Sequence, residues 1–169
     1  MPRTPGQAAG FLIGLWLAIV LLQPLGARAD QTDPALAALE SALHQDINAV
    51  RSEHHLIELR RIPELDAVAS AHSHDMATRH YMSHDTPEGL NPVDRIARSG
   101  FDGFSLAGEN VGMTSLAPPN REIVQGWLHS PVHRDNVLAP AFNATGIGIA
   151  RASDGSFYYT QLYVTLPRR

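Results

Sequence analysis

A change of hydrophobic period at Pro140 limits the fold of this chain more than any other feature of its sequence. Before it, apolar residues recur at intervals of three and four. After it, Ala144 to Arg151 and Ser156 to Leu166 are strand-like, and Ala152-Ser153-Asp154-Gly155 between them makes a hairpin turn. Helices followed by strands along one chain point to the α+β class. Gly146 and Gly148 flank Ile147 and leave room for a close backbone or helix. No helix follows that pair, so it is not a dinucleotide-binding loop.

The helical part begins at Asp33-Pro34, with Leu36, Leu39, Leu43, Ile47 and Val50 on one face to about Ser52. Pro63 starts a second helix that carries Leu65, Val68, Ala69, His72 and Met76 on one side and reaches His80. Asn91-Pro92 opens a short helix that ends at Gly100. Asn120 is placed to cap the next helix, whose buried face is Ile123, Val124 and Trp127. Ser130-Pro131 supplies an N-cap and a first helical residue, so a break between two helices falls there. In Gly108-Glu109-Asn110-Val111-Gly112 the glycines allow a tight turn and a close approach while Glu109 is presented.

Nine histidines are spread along the chain. His44, His54 and His55 have no obvious partner and read as a solvated face. His72 falls on an apolar stripe, where a hydrogen-bonded core histidine is expected. His80 and His84 are four apart, a spacing that would place two metal ligands on one helical face. His84 lies where that helix should end, before the turn residues Asp85 to Gly89. His133 sits one turn into the helix opened by Pro131, where a side chain can enter a groove. Ser130 with His133 resembles a nucleophile and base, yet capping explains Ser130 and no third orienting residue is evident.

The N-terminus has the order of a secretory signal peptide, here residues 1–29. Arg3 stands in an acid-free start, Phe11 to Leu22 are apolar throughout, and Ala27-Arg28-Ala29 is a small-residue cleavage site ahead of Asp30. The apolar run of about a dozen residues is short against the roughly 20 that a spanning helix needs. A single domain over residues 30–169, secreted or periplasmic, follows as the expectation. Two of the 13 basic residues precede Asp30, leaving 11 against 17 acids and a net charge of −6. No basic stripe exists to release counterions, which argues against nucleic acid as a partner. With no cysteine, the domain must be held by its core, helped by a metal if one binds.

The ordered set of pieces resembles the CAP domain, the family of cysteine-rich secretory proteins, antigen 5 and pathogenesis-related 1 proteins, in its shorter bacterial, cysteine-free form. The matching pieces are Asn48 to Arg51, Leu65 to Met76, Ser83-His84, Asp94-Arg95-Ile96, Gly100-Phe101, Gly108-Glu109-Asn110, Trp127 to Leu138, Gly146-Ile-Gly148 and Tyr159-Thr-Gln161. The resemblance implies a three-layer α-β-α sandwich with a small antiparallel sheet and a groove lined by two histidines and acidic residues. By matching motifs these are His84, His133 and Glu109. Many members carry a second glutamate three residues after the tryptophan, where this chain has Ser130; Glu122 is the nearest substitute, and its helical direction is different. Two imidazoles from separate helices would bind zinc or another divalent cation, with the carboxylate orienting a ring or water behind them. The plain alternative is a polar cluster that satisfies its own hydrogen bonds. The functional expectation is an exported, non-catalytic domain, monomeric and touching membrane only through its signal peptide, that binds a lipid, peptide or cell-envelope ligand. An extracytoplasmic metal-dependent hydrolase is the alternative.

Overall fold

All five helices begin at a proline that follows a non-helical residue, because the ring fixes φ and the missing N–H is not needed in a first turn. The computed structural model describes Met1 and residues 33–167, so the expected signal peptide, Met1 apart, lies outside the described residues. In chain order the elements are α1 (Pro34–Glu53), β1 (Arg60–Arg61), α2 (Pro63–Arg79), α3 (Pro92–Arg98), β2 (Leu106–Thr114), α4 (Pro119–His129), α5 (Pro131–Leu138), β3 (Ala144–Arg151) and β4 (Phe157–Thr165). Residues 33–167 fall within one compact unit.

The sheet order is β1-β3-β4-β2. Its three long strands are antiparallel, and the two-residue β1 adds a parallel edge, making the sheet mixed. Strand alternation sends β3 and β4 side chains to two opposite layers. Ile147, Ile149, Tyr159 and Tyr163 meet Leu43 and Ile47 of α1, Ile123 and Trp127 of α4, and Val137 of α5. Ala144, Leu162 and Val164 face Leu65, Val68 and Ala69 of α2 and Ile96 of α3. Helices therefore cover both faces of an α+β fold in three layers.

The two glycines of β3 set the spacing of the α2 layer. A Cβ on Gly148 would lie 2.1 Å from the Ser70 nitrogen, and one on Gly146 would lie 2.3 Å from the Leu65 carbonyl carbon. The α2 backbone thus rests directly on the strand. Ser73 Oγ locks the contact, 2.9 Å from the Gly148 carbonyl oxygen and 2.8 Å from Thr160 Oγ1.

Arg51 ties the opposite layer together. Fully buried, it donates from Nε to the Ile57 carbonyl (3.0 Å), from Nη1 to those of Val137 and Ala139 (2.7 and 3.0 Å), and from Nη2 to that of Phe142 (3.0 Å). Burial lowers its pKa from the ordinary arginine value.

Three local expectations are corrected. The 108–112 segment is not a turn but the middle of β2, with its glycines serving close packing: a Cβ on Gly108 would lie 2.9 Å from the Phe142 ring, and one on Gly112 would lie 2.9 Å from Ile123. Asn120 does not cap α4. It is buried inside the first turn, where Nδ2 donates to the Leu39 carbonyl (2.8 Å) and Oδ1 accepts from the Tyr159 hydroxyl (2.9 Å). Ser130 stands at the N-cap position of α5, yet its side chain makes no capping hydrogen bond.

Replacing Gly148 by Ala forces a methyl into the α2 backbone, which no rotamer change relieves. The variant should lose about 3 kcal/mol or more of stability by urea unfolding, whereas Gly126→Ala, with open space around it, should not be destabilised.

Candidate functional site

Helix α2 ends when His80 adopts a left-handed backbone (φ 54°), and the chain turns back toward the sheet. His80 and His84 therefore do not share a helical face. His72 is buried, as its place on the apolar stripe suggested. Its Nε2–H donates to the Ser83 carbonyl at 2.9 Å and so fixes the loop that carries His84. His44 is not simply solvated either, because its Nε2 lies 2.8 Å from the Leu59 carbonyl oxygen.

His84 Nδ1–H donates to Glu109 Oε1 at 2.8 Å. A carboxylate only accepts, so the hydrogen sits on Nδ1 and the His84 Nε2 atom is left for a ligand. The other oxygen, Glu109 Oε2, accepts from Arg95 Nη2, and Arg95 Nη1 donates to the His84 carbonyl at 2.8 Å. The Glu109 and Arg95 side chains are 1% and 8% exposed, against 47% for His84. Glu109 is thus a buried anion with both oxygens engaged, and its neighbouring ring is partly open to solvent.

His133 reaches the same place from α5. Its ring centroid lies 6.4 Å from that of His84, with the planes tilted by 44°. A chain of polar groups fixes α5 against the sheet. Asn110 Nδ2 donates to the His133 carbonyl (3.0 Å) and stands 3.2 Å from the Tyr163 hydroxyl, which donates to Gln161 Oε1 (2.8 Å). Asn136 Nδ2 donates to the Glu109 carbonyl (3.0 Å) and to Asn110 Oδ1 (2.9 Å), while Trp127 Nε1 donates to the Val111 carbonyl (3.0 Å). Side chains of α4 and α5 thereby occupy carbonyls of the β2 edge strand.

Glu122 and Ser130 take no part in these hydrogen bonds. Glu122 is half-buried in the first turn of α4, and Ser130 joins α4 to α5. Arg95, Asn110 and Asn136 are the site residues that sequence reasoning missed. Arg95 had a weak signal, a charged residue directly before the buried Ile96 on a helix too short to bury much else.

Two imidazoles on one tetrahedral zinc bring their ring centroids to roughly 5 Å. The observed 6.4 Å is wider than that. The buried carboxylate on Nδ1 is the usual support for a metal-binding histidine. Among the described residues no group of three or more His, Cys, Asp or Glu side chains is arranged for a metal. The two rings would supply two ligands to an ion, and its remaining positions would fall to water or a ligand.

The rings differ in proton affinity. The Glu109 hydrogen bond holds the His84 pKa above its ordinary value, and desolvation followed by the nearby His84 holds that of His133 below it. The fold therefore favours charged His84; that stabilisation is complete below about pH 6.5 and disappears as pH rises through the folded value. For His133 the fold favours the neutral ring, and protonation acts against folding as pH falls below about 6.5. An NMR titration of the ring nitrogens should show His84 titrating at higher pH than His133, and the reverse order would refute the assignment. Glu109→Ala leaves a buried guanidinium without its partner and should cost about 3–5 kcal/mol in urea unfolding.

The described residues contain no helix long and apolar enough to cross a membrane. The model of the cysteine-rich secretory protein family, CAP, matches residues 44–163. The Bacillus subtilis protein YkwD is 32% identical over 127 residues, which are 75% of this chain and 48% of that protein. A Bacillus subtilis membrane protein, YlbC, is 32% identical over 117 residues, 69% of this chain and 32% of its own. The chain thus spans about half and a third of the lengths of these relatives. An extracellular SCP-domain protein of Bacillus anthracis is 34% identical and superposes with a TM-score of 0.64 over 80% of this chain and 44% of that one. An outer surface protein of Borrelia burgdorferi, 20% identical, shares the fold with a TM-score of 0.69 over 77% of this chain and 94% of its own. With more than half of the chain matched and the sheet, helices and groove in place, the chain belongs to the cysteine-rich secretory protein family, CAP.

Proposed function

We propose that the protein is an exported CAP domain that binds a ligand or partner in the groove between His84 and His133 without turning it over, with a divalent ion such as zinc as a co-ligand. The observation that carries this reading is the full engagement of Glu109. Metal-assisted hydrolysis needs a base for the proton of the attacking water as well as an ion. The carboxylate nearest the rings is buried and already spent on Arg95 and His84. His84 Nε2 and the His133 ring remain to meet a ligand. An ion there would supply a Lewis acid, and the protein's part is to hold the two rings and their tautomers. Export is supported by the signal-like N-terminus and by the extracellular and outer-surface proteins among the similar structures.

Zinc titrated into the metal-stripped protein at about pH 7.5 should bind one ion near micromolar strength, roughly −8 kcal/mol, and the His84→Ala/His133→Ala double variant should not bind it. Equal binding by the two proteins would remove the ion from the groove. Affinity should fall in mild acid, because both rings must be neutral to ligate, and the raised His84 pKa starts that loss at higher pH than for an ordinary histidine. The exported protein, sequenced from its N-terminus, should begin at Asp30.

A further inference from the structure

Two buried side-chain polar atoms lack a hydrogen-bond partner among the described residues, His72 Nδ1 and Arg95 Nε. They belong to two side chains that hold one short segment. His72 Nε2–H donates to the Ser83 carbonyl at 2.9 Å, and Arg95 Nη1 donates to the carbonyl of the next residue, His84, at 2.8 Å. Arg95 also borders the same hollow as Val68 and Ala71 of α2, one turn before His72 and directly before it. The two side chains thus meet behind the Ser83-His84 segment, and the charge of Arg95 is felt at the ring. Burial, and then that charge, hold the His72 pKa below its ordinary value, so the ring is neutral at pH 7.

The two atoms are chemically complementary. A carbonyl only accepts, so the hydrogen of the His72 ring sits on Nε2 and Nδ1 carries a lone pair. Arg95 Nε carries a hydrogen and cannot accept. Buried donors and acceptors are normally paired, and a group between these two must accept from Arg95 and donate to His72. An anion cannot do the second, and a cation cannot do the first. Water does both, and bridging groups of this kind is the usual role of a buried water. We infer that one buried water joins Arg95 Nε to His72 Nδ1. It closes a ring of hydrogen bonds that runs from the Ser83 carbonyl through His72, the water and Arg95 to the His84 carbonyl. All three guanidinium nitrogens of Arg95 are then engaged, Nη2 on Glu109. Helix α2, the 83–84 segment and α3 are held as one unit behind the groove, and this follows whatever the groove binds.

The test is water-selective NMR on the full chain labelled with ¹³C and ¹⁵N, free of added metal. In the wild type, both Arg95 Nε–H and the His72 ring Cε1–H should show cross-relaxation with a long-lived water. His72→Phe, which removes the acceptor, should abolish the water signal at Arg95 Nε–H and speed exchange of that hydrogen about tenfold or more. Arg95→Lys keeps a cation beside Glu109 but has no Nε–H, and it should abolish the water signal at the His72 ring. His72→Gln, whose amide offers a donor to Ser83 and an acceptor to the water, should restore the signal at Arg95. The backbone amide spectrum reports that each variant folds, and the wild-type spectrum decides by itself where one does not. A wild type without water contact at either side chain, or a contact at one that persists after the other is replaced, would overturn the assignment.

Discussion

The closeness of α2 to β3 is the constraint on which the rest of the molecule depends. With no Cβ at Gly146 and Gly148, the helix backbone sits on the strand itself. That seat places Ser73 over Gly148 and His72 against the Ser83 carbonyl, and the loop held by His72 delivers His84 to the sheet edge. A wider gap would move the first ring of the groove before any groove residue had changed. Glycine acts here through interlayer distance, since neither residue has a positive φ.

The groove couples two kinds of constraint. Glu109 and Arg95 are removed from water as a pair, which is tolerable because every carboxylate oxygen has a donor. The carboxylate of that pair then acts on the exposed ring, by fixing its tautomer and raising its proton affinity, against the smaller opposing effect of Arg95. His133 has no such partner and is held in place through its backbone by Asn110. One ring is tuned by charge and the other by position, so the two are chemically distinct despite being the same residue type.

Much of the fold was legible because its signals are local. Asp33-Pro34, Pro63, Asn91-Pro92 and Ser130-Pro131 mark helix starts, and the switch to alternation after Pro140 marks the long hairpin. The residues of β2 were not legible as a strand. Gly108 and Gly112 carry the local signature of a turn, and only tertiary packing against Phe142 and Ile123 explains them. The same holds for the site. His84, His133 and Glu109 stand out as polar residues at element ends or between glycines, and the structure brings them together. Arg95, Asn110 and Asn136 act through partners 11 to 53 residues away in sequence, a relation that no local pattern encodes.

Arg51 gathers carbonyls from the loop after α1, the last turn of α5 and the approach to β3 around one buried guanidinium. These segments therefore cannot open one at a time. Lifting α1 away would leave carbonyls of three separate segments without donors at once, so α1, the end of α5 and the 139–142 link form one cooperative unit. The His133 helix is held for as long as the first helix stays docked, and in a protein without a disulfide this single side chain does the cross-linking that a covalent bridge would do elsewhere.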